Sequence, residues 1–257
     1  MCFVTYLPYQ QGFILTSNRD EHVGRPKALP PKKYTINGQS VFYPQDRLAG
    51  GTWIATSSNV TLCLLNGAFV KHRHQPPYRQ SRGLVLLNFF DYKNFDDFAQ
   101  NYDFKGLEPF TLVVVEQSDT LQLNEMRWDG GQIYHKLLTA DMSYAWSSVT
   151  LYSKEVVQER ERWFDEWQQQ HPLFEGNDVL DFHSFGGKGD TENDLVINRN
   201  DELRTVSITQ IQKTTEQFLI NYWDRMNDQQ YRYRIFDTDK VLHKGKIKKG
   251  NLLATNG

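Results

Sequence analysis

Apolar and polar positions at the start of the chain alternate with a period near two. "CFVTYL" (2–7) and "GFILTS" (12–17) are β-prone runs separated by "PYQQ", and together they predict a hairpin. "RPKALPPKKYT" (25–35) carries three prolines, which predicts an extended loop, because proline lacks the N–H that a sheet ladder uses. "SVFYPQDRLAGGTWIATSSNVTLCLLNG" (40–67) reads as two or three strands, broken at Gly50-Gly51 and at Ser57-Ser58-Asn59. From residue 81 the period changes. Leu84, Leu87, Phe90, Phe95 and Phe98 fall near helical spacing, so 81–101 is one helix or two short ones. "PFTLVVVEQ" (109–117) is a buried strand by its apolar run, and "TLQLNEMRWDGGQIYHKL" (120–137) a hairpin turning at Asp129-Gly130.

Residues 152–170 predict an amphipathic helix with Val156, Arg160, Trp163, Phe164 and Trp167 on one side, the two tryptophans packing into a core. "NDVLDFHSF" (177–185) adds a short helix before "GGKGD" (186–190), a loop without Walker spacing. "NDLVI", "RTVSITQI", "EQFLINYWD" and "QYRYRIFD" read as closing strands, and the basic tail from His243 as a frayed end or edge strand. Strands, helix, strands, helix, strands is an α+β order: antiparallel sheets with helices layered outside, in a single domain over 1–257.

Bulk composition narrows the function classes. Charged residues make up 23% of 257, and the net charge of −2 gives no reason to expect nucleic-acid or membrane-surface binding. No apolar run approaches the roughly 18–20 residues of a membrane span, and the N-terminus lacks a secretory pattern. Two cysteines, Cys2 and Cys63, argue against a disulfide framework and suggest a reducing cytoplasm. His72 and His74 stand two apart in a loop without further ligands at metal spacing, so neither a metal nor a cofactor is expected.

Cys2 changes the picture. Removal of Met1 would leave it with an α-amine (pKa about 7.7–8.0) beside a thiol (about 8.5), so that one residue supplies nucleophile and base. In the predicted hairpin the end of the second run, "TSNRDEHVGRP" (16–26), returns toward it. If the strand continues, Asn18 and Asp20 share one face and Arg19 the other. Asp20 is the expected partner of the amine and Arg19 the nearby cation, with Asn18 as a pocket residue; a solvated ion pair at a hairpin tip is the bland alternative.

Met1-Cys2, "NRDE" (18–21), "RP" (25–26), "DRLAGGTWIA" (46–55), "LLNG" (64–67) and "SRG" (81–83) occur in the order of the NRDE, or transport and Golgi organisation 2, family, which the chain resembles over most of its length. That family is similar to N-terminal-nucleophile hydrolases of the choloylglycine hydrolase and penicillin V acylase type. The resemblance implies a four-layer αββα sandwich and hydrolysis, or acyl transfer, at a non-peptide C–N amide or a thioester of a small amphipathic metabolite. Carried over by position, it implies Cys2 as nucleophile, Asp20 as aspartate, Asn66 at the oxyanion, and Arg204 as a late arginine. Two positions depart from the pattern. The hydrolases' R-x-x-D spacing would put arginine at Ser17, and Ser148 stands where an oxyanion-side asparagine is expected. Trp53, Phe69 and Trp146 are the aromatic pocket candidates. The resemblance also implies an alternative, a non-catalytic carrier of a lipid, acyl-CoA or haem-like ligand in the same pocket; oligomeric state stays open.

Overall fold

The computed structural model describes residues 3–235 and the two-residue strand 245–246. Its strands are β1 (Phe3–Tyr9), β2 (Gly12–His22), β3 (Leu29–Ile36), β4 (Gln39–Gln45), β5 (Ile54–Thr56), β6 (Val60–Asn66), β7 (Phe110–Gln117), β8 (Leu121–Trp128), β9 (Ile133–Leu138), β10 (Tyr144–Ser147), β11 (Asn198–Arg199), β12 (Leu203–Lys213), β13 (Phe218–Asp224), β14 (Gln229–Arg234) and β15 (Gly245–Lys246). The helices are α1 (Arg82–Asn88), α2 (Phe95–Asn101), α3 (Lys154–Gln170) and α4 (Gly176–Phe185), with a 3-10 turn at Phe89–Asp91.

All strand pairs are antiparallel and build two sheets. One runs β10-β1-β2-β12-β13-β14-β15 with β11 on β12, and the other runs β3 to β9 in chain order. Alternation along β1 and β2 decides what each face meets. Val4, Tyr6, Phe13 and Leu15 join Ile54, Cys63, Leu65 and Val113 of the second sheet in a core between the sheets. Phe3, Leu7, Tyr9 and Ile14 point the other way, onto Phe164 and Trp167 of α3 and Val179 and Phe182 of α4. A third core packs Leu62, Leu64, Leu112 and Val114 under α1 and α2. The result is helices, sheet, sheet, helices: an α+β four-layer sandwich in which β2 is buried on both faces from Gly12 to Asp20.

Local chemistry explains the elements. The β1–β2 hairpin turns at Gln10 and Gln11, both at positive φ, without the glycine that such a two-residue turn usually recruits. The helix at 154–170 starts at Ser153, whose hydroxyl accepts from the Val156 N–H at 3.4 Å, and it buries Arg160, Phe164 and Trp167 along one stripe, with Trp163 only partly buried. Region 81–101 resolves into two short helices, the second capped by Asn94. Two expectations are corrected. The proline-bearing stretch is not a loop but includes β3, an edge strand where missing N–H groups cost little; its register to β4 shifts between Leu29 and Lys32, around Pro30-Pro31. The overlooked signal is Asn37-Gly38, both at positive φ, which closes the β3–β4 hairpin. "NDLVI" is not a strand either. Asp194 is spent on loop 186–190, accepting from the Lys188 and Gly189 N–H groups, and the strand begins only at Asn198.

Candidate functional site

A cleft of about 240 Å³ opens at one end of the sandwich, where β2, β4 and β6 finish; Arg19, Glu21, Asp46, Trp53, Asn66 and Arg82 are among its lining. Asp46 organises it. Its Oδ2 accepts from Arg19 Nη2 at 2.7 Å and Arg25 Nε at 2.7 Å, and its Oδ1 from Arg25 Nη2 at 3.1 Å and the N–H groups of Leu48 and Ala49 at 3.0 and 2.9 Å. Burial pushes the Asp46 carboxyl up, but the hydrogen bonds from Arg25 and Ala49 and the Arg19 charge outweigh it and hold the group below the usual carboxylate range. Reciprocally, the Asp46 hydrogen bond raises Arg25. Arg19 also reaches Glu21 Oε2 at 3.2 Å and lies 4.6 Å over the Trp53 ring, so its position is fixed from three sides.

Two glycines bring the wall together. A Cβ on Gly51 would lie 2.4 Å from the Gly83 carbonyl carbon, and one on Gly83 would lie 2.8 Å from the Thr52 carbonyl oxygen. "GGTW" and "SRG" are thus the two sides of one backbone contact, closed by Thr52 N–H donating to Gly83 O at 3.1 Å. The contact sets Ser81 and Arg82 at the cleft. Arg82 pairs with Glu108 at 3.1 Å, and burial lowers its pKa. Ser81 Oγ and Trp53 Nε1 are buried without a hydrogen-bond partner among the described residues.

The sequence candidates divide between two faces of β2. Arg19, Trp53 and Asn66 meet in the cleft. The Asn66 carbonyl accepts from Ser148 Oγ at 2.8 Å, while its side-chain amide makes no hydrogen bond among the described residues. Ser148 Oγ also contacts Thr150 Oγ1 at 2.9 Å, so this hydroxyl braces the Asn66 loop. Asn18 and Asp20 face the α3–α4 layer instead. Asn18 Oδ1 meets His183 Nδ1 at 2.7 Å, His183 Nε2 meets Thr5 Oγ1 at 2.7 Å, and Asn18 Nδ2 donates to the His183 and Leu195 carbonyls. Full burial lowers the His183 pKa to about 3, so the ring is neutral. Asp20 accepts from the Tyr152 hydroxyl and from Thr205 Oγ1, both at 2.5 Å, and the buried Arg160 guanidinium stacks 3.6 Å from the Tyr152 ring centre.

The remaining candidates lie apart from the cleft lining. Arg204 is ion-paired with Asp201 and bonded to Asn198 Oδ1 at 3.0 Å. Trp146 donates to Glu125 at 2.6 Å, and Phe69 is about half exposed beneath Arg127. Cys2 lies outside the described residues. Cys63 is buried between the sheets with its thiol pushed up to about 12 by burial, which makes it inert at neutral pH. His72 binds Glu108 at 3.0 Å, and no metal-holding cluster of His, Cys, Asp or Glu occurs among the described residues. Two cleft residues were not singled out in the sequence: Asp46, at the head of "DRLAGGTWIA", and Glu21, which shares β2 parity with Arg19. His183 and Tyr152 gave no local signal, and Arg160 showed only its place among the apolar residues on one side of the 152–170 helix.

Fold and cleft define an α+β four-layer sandwich with a charged site where its sheets end. A family model described as Transport and Golgi organisation 2 matches residues 1–234, and the chain belongs to that family. No curated protein matches it. Among solved structures it is similar to penicillin V acylase from Agrobacterium tumefaciens, with a TM-score of 0.47 and 9% identity, covering 93% of this chain and 87% of that one. No helix among the described residues is long and apolar enough to cross a membrane.

Proposed function

We propose that this chain is an N-terminal-cysteine hydrolase or acyltransferase acting on an acyl amide or thioester of a small amphipathic metabolite, within a single domain. One observation carries the reading: Arg19 and the uncommitted Asn66 amide line one cleft, and β1 begins at Phe3, one residue after Cys2, with Phe3 paired to Asn18, the residue before Arg19. In this reading loss of Met1 frees the α-amine. The amine takes the thiol proton, and the thiolate attacks the acyl carbonyl. The Asn66 amide donates to the oxyanion, a contact worth about 3 kcal/mol when well placed. The amine passes its proton to the leaving nitrogen of an amide or the leaving sulfur of a thioester. The same amine then deprotonates water, or the acceptor nucleophile in acyl transfer, which attacks the acyl-cysteine carbonyl and releases the acyl group with the thiol restored. Arg19 supplies a cation that Asp46 and Glu21 hold still. Asp20 supports the strand end from its opposite face, through Tyr152 and Thr205.

The carrier alternative asks for an apolar chamber to hold a lipid tail or a haem-like ring. Lining by Arg19, Glu21, Asp46 and Arg82 suits a polar reacting group better. Intact mass of the native protein, labelling by a small thiol electrophile, and turnover of a panel of acyl amides and thioesters test the proposal. The expected outcome is a chain lacking Met1, rapid labelling at Cys2, and turnover lost in Cys2→Ala. Retained Met1, or turnover unchanged in Cys2→Ala, overturns it.

A further inference from the structure

The end of the sandwich that holds the cleft is also where apolar side chains reach solvent. Val23, Leu48, Phe69, Val70 and Tyr134 are between 40 and 74% exposed, and they are five of the nine large hydrophobic residues exposed among the described residues. The cleft's own loops carry Val23 and Leu48. Val23 sits between Glu21 and Arg25, and Leu48 between Asp46 and Ala49, and all four flanking residues line the cleft. The second sheet aligns Asn66, Phe110, Trp128 and Ile133 across β6 to β9, so the loop after Asn66 and the start of β9 share that end. There the Phe69 ring meets Tyr134 edge-on at 4.8 Å. The end of the sandwich that carries the charged cleft thus also carries five exposed apolar side chains.

Cations accompany these side chains. Arg47 precedes Leu48, Lys71 follows Val70, and Arg73 comes two residues later; all three are exposed and make no salt bridge among the described residues. Arg19, Arg25 and Arg82, by contrast, are ion-paired within the cleft wall. The 71–74 loop is fastened to that wall, because His72 and Arg82 share the Glu108 carboxylate. Single exposed hydrophobics are ordinary on any surface, but here five share one end of the sandwich, and Leu48 and Val70 each have an unpaired base beside them. Protein–protein interfaces enrich aromatics and arginine but are depleted in lysine, and Lys71 stands directly beside Val70. The interfacial zone of a bilayer accepts both parts of the pattern, apolar tips at the acyl boundary and bases among anionic headgroups.

We infer that this end of the molecule docks on a bilayer surface rich in anionic headgroups, with the cleft mouth facing the lipid. The chain's net charge of −2 conceals this local arrangement. Docking does not depend on the chemistry assigned to Cys2 and is tested separately from it. Full-length protein is sedimented with phosphatidylcholine vesicles, with and without about 30% phosphatidylserine, across a salt series. The expected result is salt-sensitive binding to the anionic vesicles. Leu48→Asp combined with Val70→Asp lowers partitioning at least about tenfold, and Lys71→Glu combined with Arg73→Glu abolishes the preference for phosphatidylserine. These positions are exposed, so the urea midpoint of each variant stays at the wild-type value and separates docking from folding. Absence of binding to anionic vesicles at low salt overturns the inference, as does binding that both pairs leave unchanged. A protein partner lost in these variants without any vesicle binding overturns it in favour of a protein-docking surface.

Discussion

Asp46→Asn isolates the charge that assembles the cleft. The substitution keeps the shape and leaves one oxygen for the Leu48 and Ala49 N–H groups. At the other position it puts an NH₂ against Arg19 Nη2 and Arg25 Nε, each 2.7 Å away and each a donor. The pair is substantially desolvated, with side-chain exposures of 6% for Arg19 and 10% for Asp46. Removing one partner of a buried pair costs about 3–5 kcal/mol, and because Arg19 keeps Glu21 the lower end applies, about 3 kcal/mol. With a urea m-value near about 3 kcal/mol/M for a chain of this size, the midpoint falls by about 1 M at pH 7. The pH dependence gives an independent check. Asp46 is depressed in the folded state, so its contribution is complete above the unfolded carboxyl pKa of about 3.9 and is lost as pH falls through the lower folded value. The gap between wild type and Asp46→Asn therefore closes below about pH 4, while it stays constant from pH 5 to 7. Urea midpoints of both proteins along a pH series from 7 to about 3 measure this directly. A midpoint shift under about 0.3 M at pH 7, or a gap that persists undiminished at acid pH, refutes the reasoning.

Gly51→Ala forces a methyl to 2.4 Å from the Gly83 carbonyl carbon, a backbone atom that cannot swing away, and is expected to cost about 1–3 kcal/mol and lower the melting temperature; an unchanged melting curve contradicts the close approach. His183 is held neutral, with a pKa near 3, whereas the unfolded chain takes up a proton near about 6.5, so stability declines as pH falls from about 6.5 toward 3. His183→Gln removes that part of the pH slope, and an imidazole signal from His183 that titrates near pH 6 in an NMR series speaks against the buried network. Tyr152→Phe deletes the 2.5 Å hydrogen bond to Asp20 and is expected to destabilise by about 1.5–3 kcal/mol, read from the urea midpoint, with a loss below about 0.5 counting against a structural role.

What was legible in the sequence was local. Alternation in 2–7 and 12–17 marks the hairpin, the helical spacing of Phe164 and Trp167 marks the face that covers it, and "DG" and "NG" mark turns whether or not they are noticed. What was not legible is contact across layers. Asp46 reaches Arg19 because two sheets pack face to face, and His183 reaches Asn18 across 165 residues of chain; no period in the sequence encodes either distance. The adjacency of Arg19 and Asp20 illustrates the limit. Compared with an R-x-x-D spacing it looks like a defect, since the pattern would need arginine at Ser17. In a strand buried on both faces, however, neighbouring residues never serve the same site. Arg19 and Glu21 take the cleft face and bond each other at 3.2 Å, while Asn18 and Asp20 take the helix face and bond His183, Tyr152 and Thr205. "NRDE" therefore supplies two interleaved pairs, one for the cleft and one for the layer that holds the strand in place. The arginine is matched with a carboxylate after all, two residues on rather than one.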